Sequence, residues 1–161
     1  MWVVRGNGLH GAMTRWRTPD LSSVCLNQVR GEDIPHSVRK CGPPPCGIYA
    51  TKDLAVLRRE LGVGDVDGYV IGVVALEGKV IEHARGYRGA KARVAAVTAR
   101  FDGRFLHTDA PEAIEALFDD PGSAIKSLGE AGRPGEQRGD EYLNQWKEQN
   151  DTWTWETKSE S

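Results

Sequence analysis

The most regular pattern of apolar and polar residues begins at Gly47. The run GIYAT (47–51) is short and β-prone, and the segment KDLAVLRREL after it repeats leucine at helical spacing. Leu54, Leu57 and Leu61 share one face of this predicted helix, and Asp53 is its predicted cap. The pattern therefore predicts a strand that leads directly into an amphipathic helix.

A second apolar run, GYVIGVVAL (68–76), consists largely of β-branched residues between glycines. Such runs are typical of a strand covered on both faces. The segment EGKVIEH that follows predicts its antiparallel partner, with the hairpin turn at Glu77 and Gly78. A further strand is predicted over Ala92 to Phe101.

The segment TDAPEAIEALF has the features of a helix start, with Asp109 as the predicted cap and Pro111 in the first turn. One face of this helix carries three large apolar side chains: Ile114, Leu117 and Phe118. The chain thus contains about two predicted helices among several short strands.

The 161 residues are enough for one ordinary domain. From residue 130 onward the sequence becomes rich in Gly, Pro, Ser and charges, with few apolar residues to bury. We predict a single α+β domain over 1–129 and an acidic linker or tail over 130–161. The exceptions in the tail are Trp146, Trp153 and Trp155, which we expect to dock on the body of the protein or on a partner.

The charge is unevenly distributed although the net charge is only −2. Residues 1–108 hold sixteen Lys and Arg against ten Asp and Glu, and residues 109–161 hold five against thirteen. This balance allows an anionic partner on one face, but it is far from that of most non-specific nucleic-acid binders. The sequence has neither an apolar run of about 20 residues nor the apolar core of a signal peptide. We therefore expect a cytoplasmic protein that does not associate with a membrane.

All three cysteines lie in one window, in the order Cys-x10-His-x4-Cys-x4-Cys: Cys25, His36, Cys41 and Cys46. Zinc takes four Cys or His ligands in a tetrahedron, and a reducing compartment with an odd number of cysteines disfavours a disulfide framework. The stiff GPPP turn between Cys41 and Cys46 could hold two thiolates on one side of an ion. The alternative is a buried core thiol at Cys25, a strand residue at Cys46 and a surface histidine.

The segment EHARGYRGAKAR (82–93) contains four cations and an aromatic residue directly after the apolar strand. Guanidinium forks and an aromatic ring are what phosphate and base recognition uses, so these are the predicted ligand-binding residues: Arg85, Tyr87, Arg88, Lys91 and Arg93. The alternative is a solvated basic hairpin end with no ligand.

No nucleophile, phosphate-loop or dinucleotide motif is present in the sequence. We therefore predict no catalytic residues and favour a non-catalytic protein. An enzyme acting at a zinc ion with three protein ligands and one open position is a weaker alternative.

The elements WRTP, CGIYATKDL, GVVALEGKVIEH and RGYRGAKA occur in an order that resembles a group of small, uncharacterised actinobacterial and actinophage proteins. The resemblance covers residues 2–95. It implies that Cys25, His36, Cys41 and Cys46 correspond to the Cys and His positions of that group, and it favours a structural zinc ion. CGPPPC departs from the group in the spacing of its cysteines, and GYRGAKA departs in Gly89 and Lys91.

The order of elements in that group is similar to the small β-barrels of the ASCH and PUA-like type, which bind RNA or modified bases. Taken with the residue pattern, this predicts an α+β fold with a mixed or antiparallel, partly closed, barrel-like sheet, about two helices and a zinc-stapled loop. Our functional hypothesis is a non-catalytic module that binds nucleic acid or a nucleotide-like anion. The alternative is a phage-type factor that binds a host protein through its acidic, Trp-containing tail.

Overall fold

The computed structural model describes residues 2–5, 8–11, 15–27, 34–61, 68–101, 104–131 and 139–150. In these ranges the chain forms eight strands: β1 (Trp2–Arg5), β2 (Gly8–His10), β3 (Arg15–Trp16), β4 (Asp20–Ser22), β5 (Ile48–Thr51), β6 (Tyr69–His83), β7 (Gly86–Phe101) and β8 (Arg104–Thr108). It also forms five helices: α1 (Val38–Cys41), α2 (Leu54–Leu61), α3 (Pro111–Asp119), α4 (Pro121–Ala131) and α5 (Gly139–Gln149).

The strands form one antiparallel sheet organised around β7. One edge of β7 pairs with β6, and the other edge pairs in turn with β5, β4 and β8. On the far side of β6 the order continues through β1 and β2 to β3. The α+β class and the antiparallel sheet are confirmed, but the sheet does not close into a barrel within the described ranges.

The predicted hairpin turn at Glu77 and Gly78 is wrong. These residues lie inside β6, which runs for 15 residues, and the chain turns only at Ala84 and Arg85. Gly78 has a φ of 74°, and the pairing of β6 with β7 shifts register between Glu77 and Val80. The Glu-Gly pair therefore forms a β-bulge, which inserts an extra residue without reversing the chain.

Both predicted helices are present, as α2 and α3. The backbone N–H of Val56 donates to Oδ1 of Asp53 at 2.7 Å, so Asp53 does cap α2. Asp109 does not cap α3, because Ala110 occupies the cap position and the carboxylate of Asp109 accepts a hydrogen bond from Trp146 instead. The described chain also contains three helices that were not predicted, namely α1, α4 and α5.

The hydrophobic core lies between the sheet and helices α3 and α4. Ile114, Leu117 and Phe118 are buried, as their helical spacing predicted, and the rings of Phe118 and Trp16 lie 6.0 Å apart. Val70 and Val97 contribute from the central strands. Burial of these side chains holds the sheet rigid beneath the loops that it carries.

Helix α5 packs against β6, β7 and β8. Leu143 is buried, and the ring of Tyr142 stacks on His107 with 4.4 Å between centroids. Burial, with a smaller contribution from Asp109, raises the pKa of Tyr142 to about 12. The expectation that the chain beyond residue 130 buries little is therefore wrong for residues 139–150. The domain boundary at residue 129 stays a prediction.

Candidate metal centre

Cys25, His36, Cys41 and Cys46 come together in one cluster. Cys25 follows β4, His36 lies just before α1, Cys41 is the last residue of α1, and Cys46 comes shortly before β5. One potential ligand atom from each of the four lies within 4.8 Å of all the others. The cluster predicted from the sequence is thus present, and its geometry is compatible with a bound metal ion.

Two of the distances between ligand atoms are close to those of a tetrahedral zinc site, and all the others are at most 4.8 Å. Bonds of about 2.3 Å to sulfur place neighbouring corners of a tetrahedron about 3.7 Å apart. Sγ of Cys25 lies 3.4 Å from Sγ of Cys41, and Sγ of Cys46 lies 3.3 Å from Nδ1 of His36. A tetrahedral ion would need shifts of only a few tenths of an ångström from these two distances.

Backbone N–H groups point at two of the sulfurs. The N–H of Cys46 donates to Sγ of Cys41 at 3.4 Å, and the N–H of His36 donates to Sγ of Cys46 at 3.2 Å. The side chain of Asn27 donates to the carbonyl of Cys41 and ties the two parts of the loop together. Such contacts orient the thiols before any ion binds, which is the role of the outer shell in metal sites.

Without a bound cation, the electrostatics of the cluster favour neutral thiols. The N–H of Cys46 lowers the pKa of Cys41, but burial and the neighbouring thiols of Cys25 and Cys46 together outweigh it and raise that pKa. Several adjacent sulfurs cannot ionise together without a compensating positive charge. A divalent cation supplies that charge and converts the thiols to thiolate ligands.

The cluster is enclosed on most sides. His36 is 1 % exposed and Cys41 is 3 % exposed, while Cys25 is half-buried at the rim. With four protein ligands available, no coordination position is left for substrate. The arrangement therefore fits a closed, structural site.

Arg88 connects the cluster to the sheet. Its side chain is 2 % exposed, and Nη1 donates to the carbonyl of His36 at 2.6 Å and to the carbonyl of Cys46 at 2.7 Å. Arg88 therefore has no surface for an external ligand, which corrects its assignment to the ligand-binding set. The sequence pattern does indicate that Arg88 is buried, because Arg88 falls on the same alternate positions of β7 as the buried Ala92 and Val94.

Three other predicted ligand-binding residues share the opposite face of β7. Tyr87, Lys91 and Arg93 alternate along the strand, and Arg85 lies in the turn before it. Acidic residues occupy cross-strand positions on that face, Glu82 beside Tyr87 and Glu77 beside Lys91.

Two ion pairs join acidic and basic side chains on or beside this face. Nε of Arg93 donates to Oδ1 of Asp20 at 2.7 Å, and Nζ of Lys52 donates to Oε1 of Glu82 at 2.5 Å. The hydrogen bond that Arg93 donates to Asp20 is the main cause that raises the pKa of Arg93, followed by the charges of Asp20 and Glu77. The face of Tyr87, Lys91 and Arg93 therefore carries mixed charge.

The predicted partner-binding tryptophans divide into two groups. Trp146 lies on α5, where its Nε1 donates to Oδ2 of Asp109 at 3.1 Å. It is half-buried and engaged with the body of the protein. Trp153 and Trp155 lie outside the described residues.

Comparison with known proteins finds no matching family model, no matching curated protein and no matching solved structure. None of the helices in the described part of the chain combines the length and the apolar composition that a membrane span requires.

Proposed function

We propose that this protein is a non-catalytic binding module whose loop between β4 and β5 is held by one structural zinc ion. The observation that carries the proposal is the convergence of Cys25, His36, Cys41 and Cys46, whose ligand atoms all lie within 4.8 Å of one another. Residues separated by up to 21 positions in the sequence meet at one point, and three of the four are buried.

The donor set favours zinc over other metals. Three thiolates and one imidazole form a soft set that suits tetrahedral zinc, whereas calcium and magnesium take oxygen ligands. Four protein ligands also complete the tetrahedron. This supports a structural role over the alternative of a zinc enzyme with an open position.

The loop needs such an ion because it has little other source of stability. Among the described residues from Cys25 to Cys46, those that are buried are Pro35, His36, Cys41 and Cys46, and three of these belong to the cluster. A structural zinc ion supplies on the order of 10 kcal/mol of folding free energy. We infer that the ion replaces the hydrophobic contacts that this loop lacks.

Metal analysis of protein purified without chelator tests the proposal. We expect one zinc per chain, and we expect Cys41→Ser and His36→Ala to lose it. His107→Ala is the matched control, because His107 lies on β8 outside the cluster, where its Nδ1 contacts the hydroxyl of Thr98. Metal-free protein that is fully folded, or zinc retained in both cluster variants, contradicts the proposal.

For the ligand of the module we propose nucleic acid or a nucleotide-like anion. Support comes from exposed cations near aromatic rings, since this combination suits phosphates and bases. Anisotropy of labelled single-stranded and double-stranded oligonucleotides is the test, and affinity should fall steeply with salt because bound phosphates release counterions. Absence of binding at low salt would reject this ligand class.

The resemblance to actinobacterial and actinophage proteins stays a prediction.

Docking on a host protein through the tail is the less favoured function. Trp146, one of its three proposed anchors, already contacts Asp109 of the same chain. A pull-down with the full chain and with a chain ending after Asn150, which keeps α5, separates the two functions. Loss of a protein partner on truncation would favour the tail.

A further inference from the structure

The three thiols of the cluster differ in how far solvent reaches them. Cys41 and Cys46 are 3 % and 9 % exposed, whereas Cys25 is half-buried at the rim of the cluster. A dissolved oxidant therefore meets the sulfur of Cys25 first. Cysteines that respond to oxidants are thiolates that solvent reaches and that have a second cysteine beside them.

For Cys25 the second cysteine is Cys41. Its Sγ lies 3.4 Å from Sγ of Cys25, although the two residues are 16 positions apart in the sequence. A disulfide bond joins two sulfurs at about 2.05 Å, so this pair needs to approach by only about 1.4 Å. A small movement of the two side chains is therefore enough to join them.

The other two potential ligands are held separately, by Arg88. Its Nη1 donates to the carbonyl of His36 at 2.6 Å and to the carbonyl of Cys46 at 2.7 Å. Sγ of Cys46 also accepts a hydrogen bond from the N–H of His36 at 3.2 Å and lies 3.3 Å from its Nδ1. A bond between Cys25 and Cys41 thus removes two ligands and leaves the other two anchored to β7.

We propose that the cluster is a redox switch, in which a peroxide joins Cys25 to Cys41 in a disulfide and the zinc ion is released. The inference rests on the proposed zinc ion and names the regulation of that site. A structural zinc ion has four protein ligands, so His36 and Cys46 alone do not retain it. Because Arg88 holds both of these residues in place, reduction of the disulfide restores the full set of ligands.

The reaction takes two steps, with hydrogen peroxide as the oxidant. Sγ of Cys25, a thiolate in the zinc-bound state, attacks one peroxide oxygen; an S–O bond forms, the O–O bond breaks and hydroxide leaves. Sγ of Cys41 then attacks Sγ of Cys25, an S–S bond forms, and the S–O bond breaks with loss of a second hydroxide. The two sulfurs give up two electrons in total, and both hydroxides take protons from solvent to become water. The sulfur of Cys46 takes up a proton as the hydrated zinc ion departs.

Treatment of the zinc-loaded full chain with a small excess of hydrogen peroxide tests the proposal, with a chromophoric chelator reporting the released zinc. We expect one zinc per chain to be released and each chain to become lighter by two hydrogen atoms. Dithiothreitol together with zinc should restore the site. N-ethylmaleimide added after the peroxide labels the cysteine that remains a thiol, and tandem mass spectrometry should find this label on Cys46 alone.

Cys25→His and Cys46→His are a matched pair of variants, because each removes one thiol and keeps four zinc ligands. Cys25→His lacks the thiol at the rim and should release zinc on the order of tenfold more slowly than the native protein. Cys46→His keeps Cys25 beside Cys41 and should release zinc at close to the native rate. Cys46 is buried, and if its variant does not fold, the label on the native protein still identifies the bonded pair.

The outcomes separate the switch from the zinc site on which it rests. Zinc that is bound at the start and stays bound in peroxide overturns the switch and leaves the structural site in place. The same holds if the label lies on Cys25 or Cys41, if the sulfurs gain oxygen without a disulfide, or if Cys25→His releases zinc at the native rate. Protein that binds no zinc at the start contradicts the proposed function and this inference together.

Discussion

Nη1 of Arg88 lies 2.7 Å from the carbonyl oxygen of Cys46, and the same nitrogen lies 2.6 Å from the carbonyl oxygen of His36. One buried guanidinium thus holds the backbone at two of the four predicted zinc ligands. Arg88 belongs to β7, which pairs with β5 and β6 on either side. The loop between β4 and β5 is therefore fastened to the strand around which the sheet is organised, at the point where the four Cys and His side chains converge.

Replacing Arg88 with Met should destabilise the loop strongly. Met keeps the apolar stem but leaves the carbonyls of His36 and Cys46 without this donor, at a cost of about 2 to 5 kcal/mol in the free energy of unfolding. Chemical denaturation of the zinc-loaded protein measures the difference. Arg93→Met is the matched control, because Arg93 lies five positions along the same strand and is exposed. Equal effects of the two substitutions would contradict the anchoring role of Arg88.

Gly47 lets the loop approach Arg88 closely, and Gly47→Ala should disrupt that contact. Its φ is 128°, and an added Cβ would lie 2.4 Å from Cγ of Arg88. The combined strain and overlap should cost about 2 to 4 kcal/mol and reduce zinc affinity. Stability and zinc affinity can be followed together by denaturation and by chelator competition. Gly122→Ala is the control, since a Cβ there meets only Asp120 at an ordinary 3.6 Å, and it should be tolerated.

Asp120 should contribute stability that depends on pH. The hydroxyl of Ser123 donates to Oδ2 of Asp120 at 2.8 Å and its N–H donates to Oδ1 at 3.3 Å, and these bonds hold the pKa of Asp120 below its ordinary value. Because the pKa is lower in the folded than in the unfolded chain, the stabilisation is present above the ordinary pKa and is lost as the pH falls through the folded value.

Thermal unfolding of Asp120→Ala across a pH series tests this contribution. The variant should melt below the native protein at pH 7, and the difference should shrink toward about pH 3. Asp119→Ala removes the same charge one residue earlier and leaves the hydrogen bonds from Ser123 to Asp120 in place, so it should show no such trend. A difference for Asp120→Ala that is independent of pH would rule out the carboxylate as its source.

Local pattern in the sequence predicted those features that depend on neighbouring residues. The helical spacing of Ile114, Leu117 and Phe118 identified the buried face of α3. The clustering of every cysteine with His36 identified the metal cluster, because a loop rich in Gly and Pro has few other ways to become ordered. Neither prediction required knowledge of how distant strands pair.

The features that the sequence did not predict depend on register and tertiary packing. Whether Gly78 forms a turn or a bulge is decided by the continued pairing of β6 with β7 beyond it. The role of Arg88 follows from its position opposite Tyr49 and beneath a loop that folds back over the sheet. Residues 139–150 lack a strongly apolar pattern, and they form α5 because Leu143 and Tyr142 find partners on the sheet.

X-ray absorption at the zinc edge of the purified protein tests the central claim most directly, because it reports the atoms bound to the metal. The proposed site predicts one zinc per chain with three sulfur ligands at about 2.3 Å and one nitrogen ligand at about 2.0 Å. Cys41→Ser should lose the zinc, and any fraction of the variant that retains it should show one sulfur fewer. A shell of oxygen and nitrogen alone, or protein that folds fully without zinc, would contradict the account.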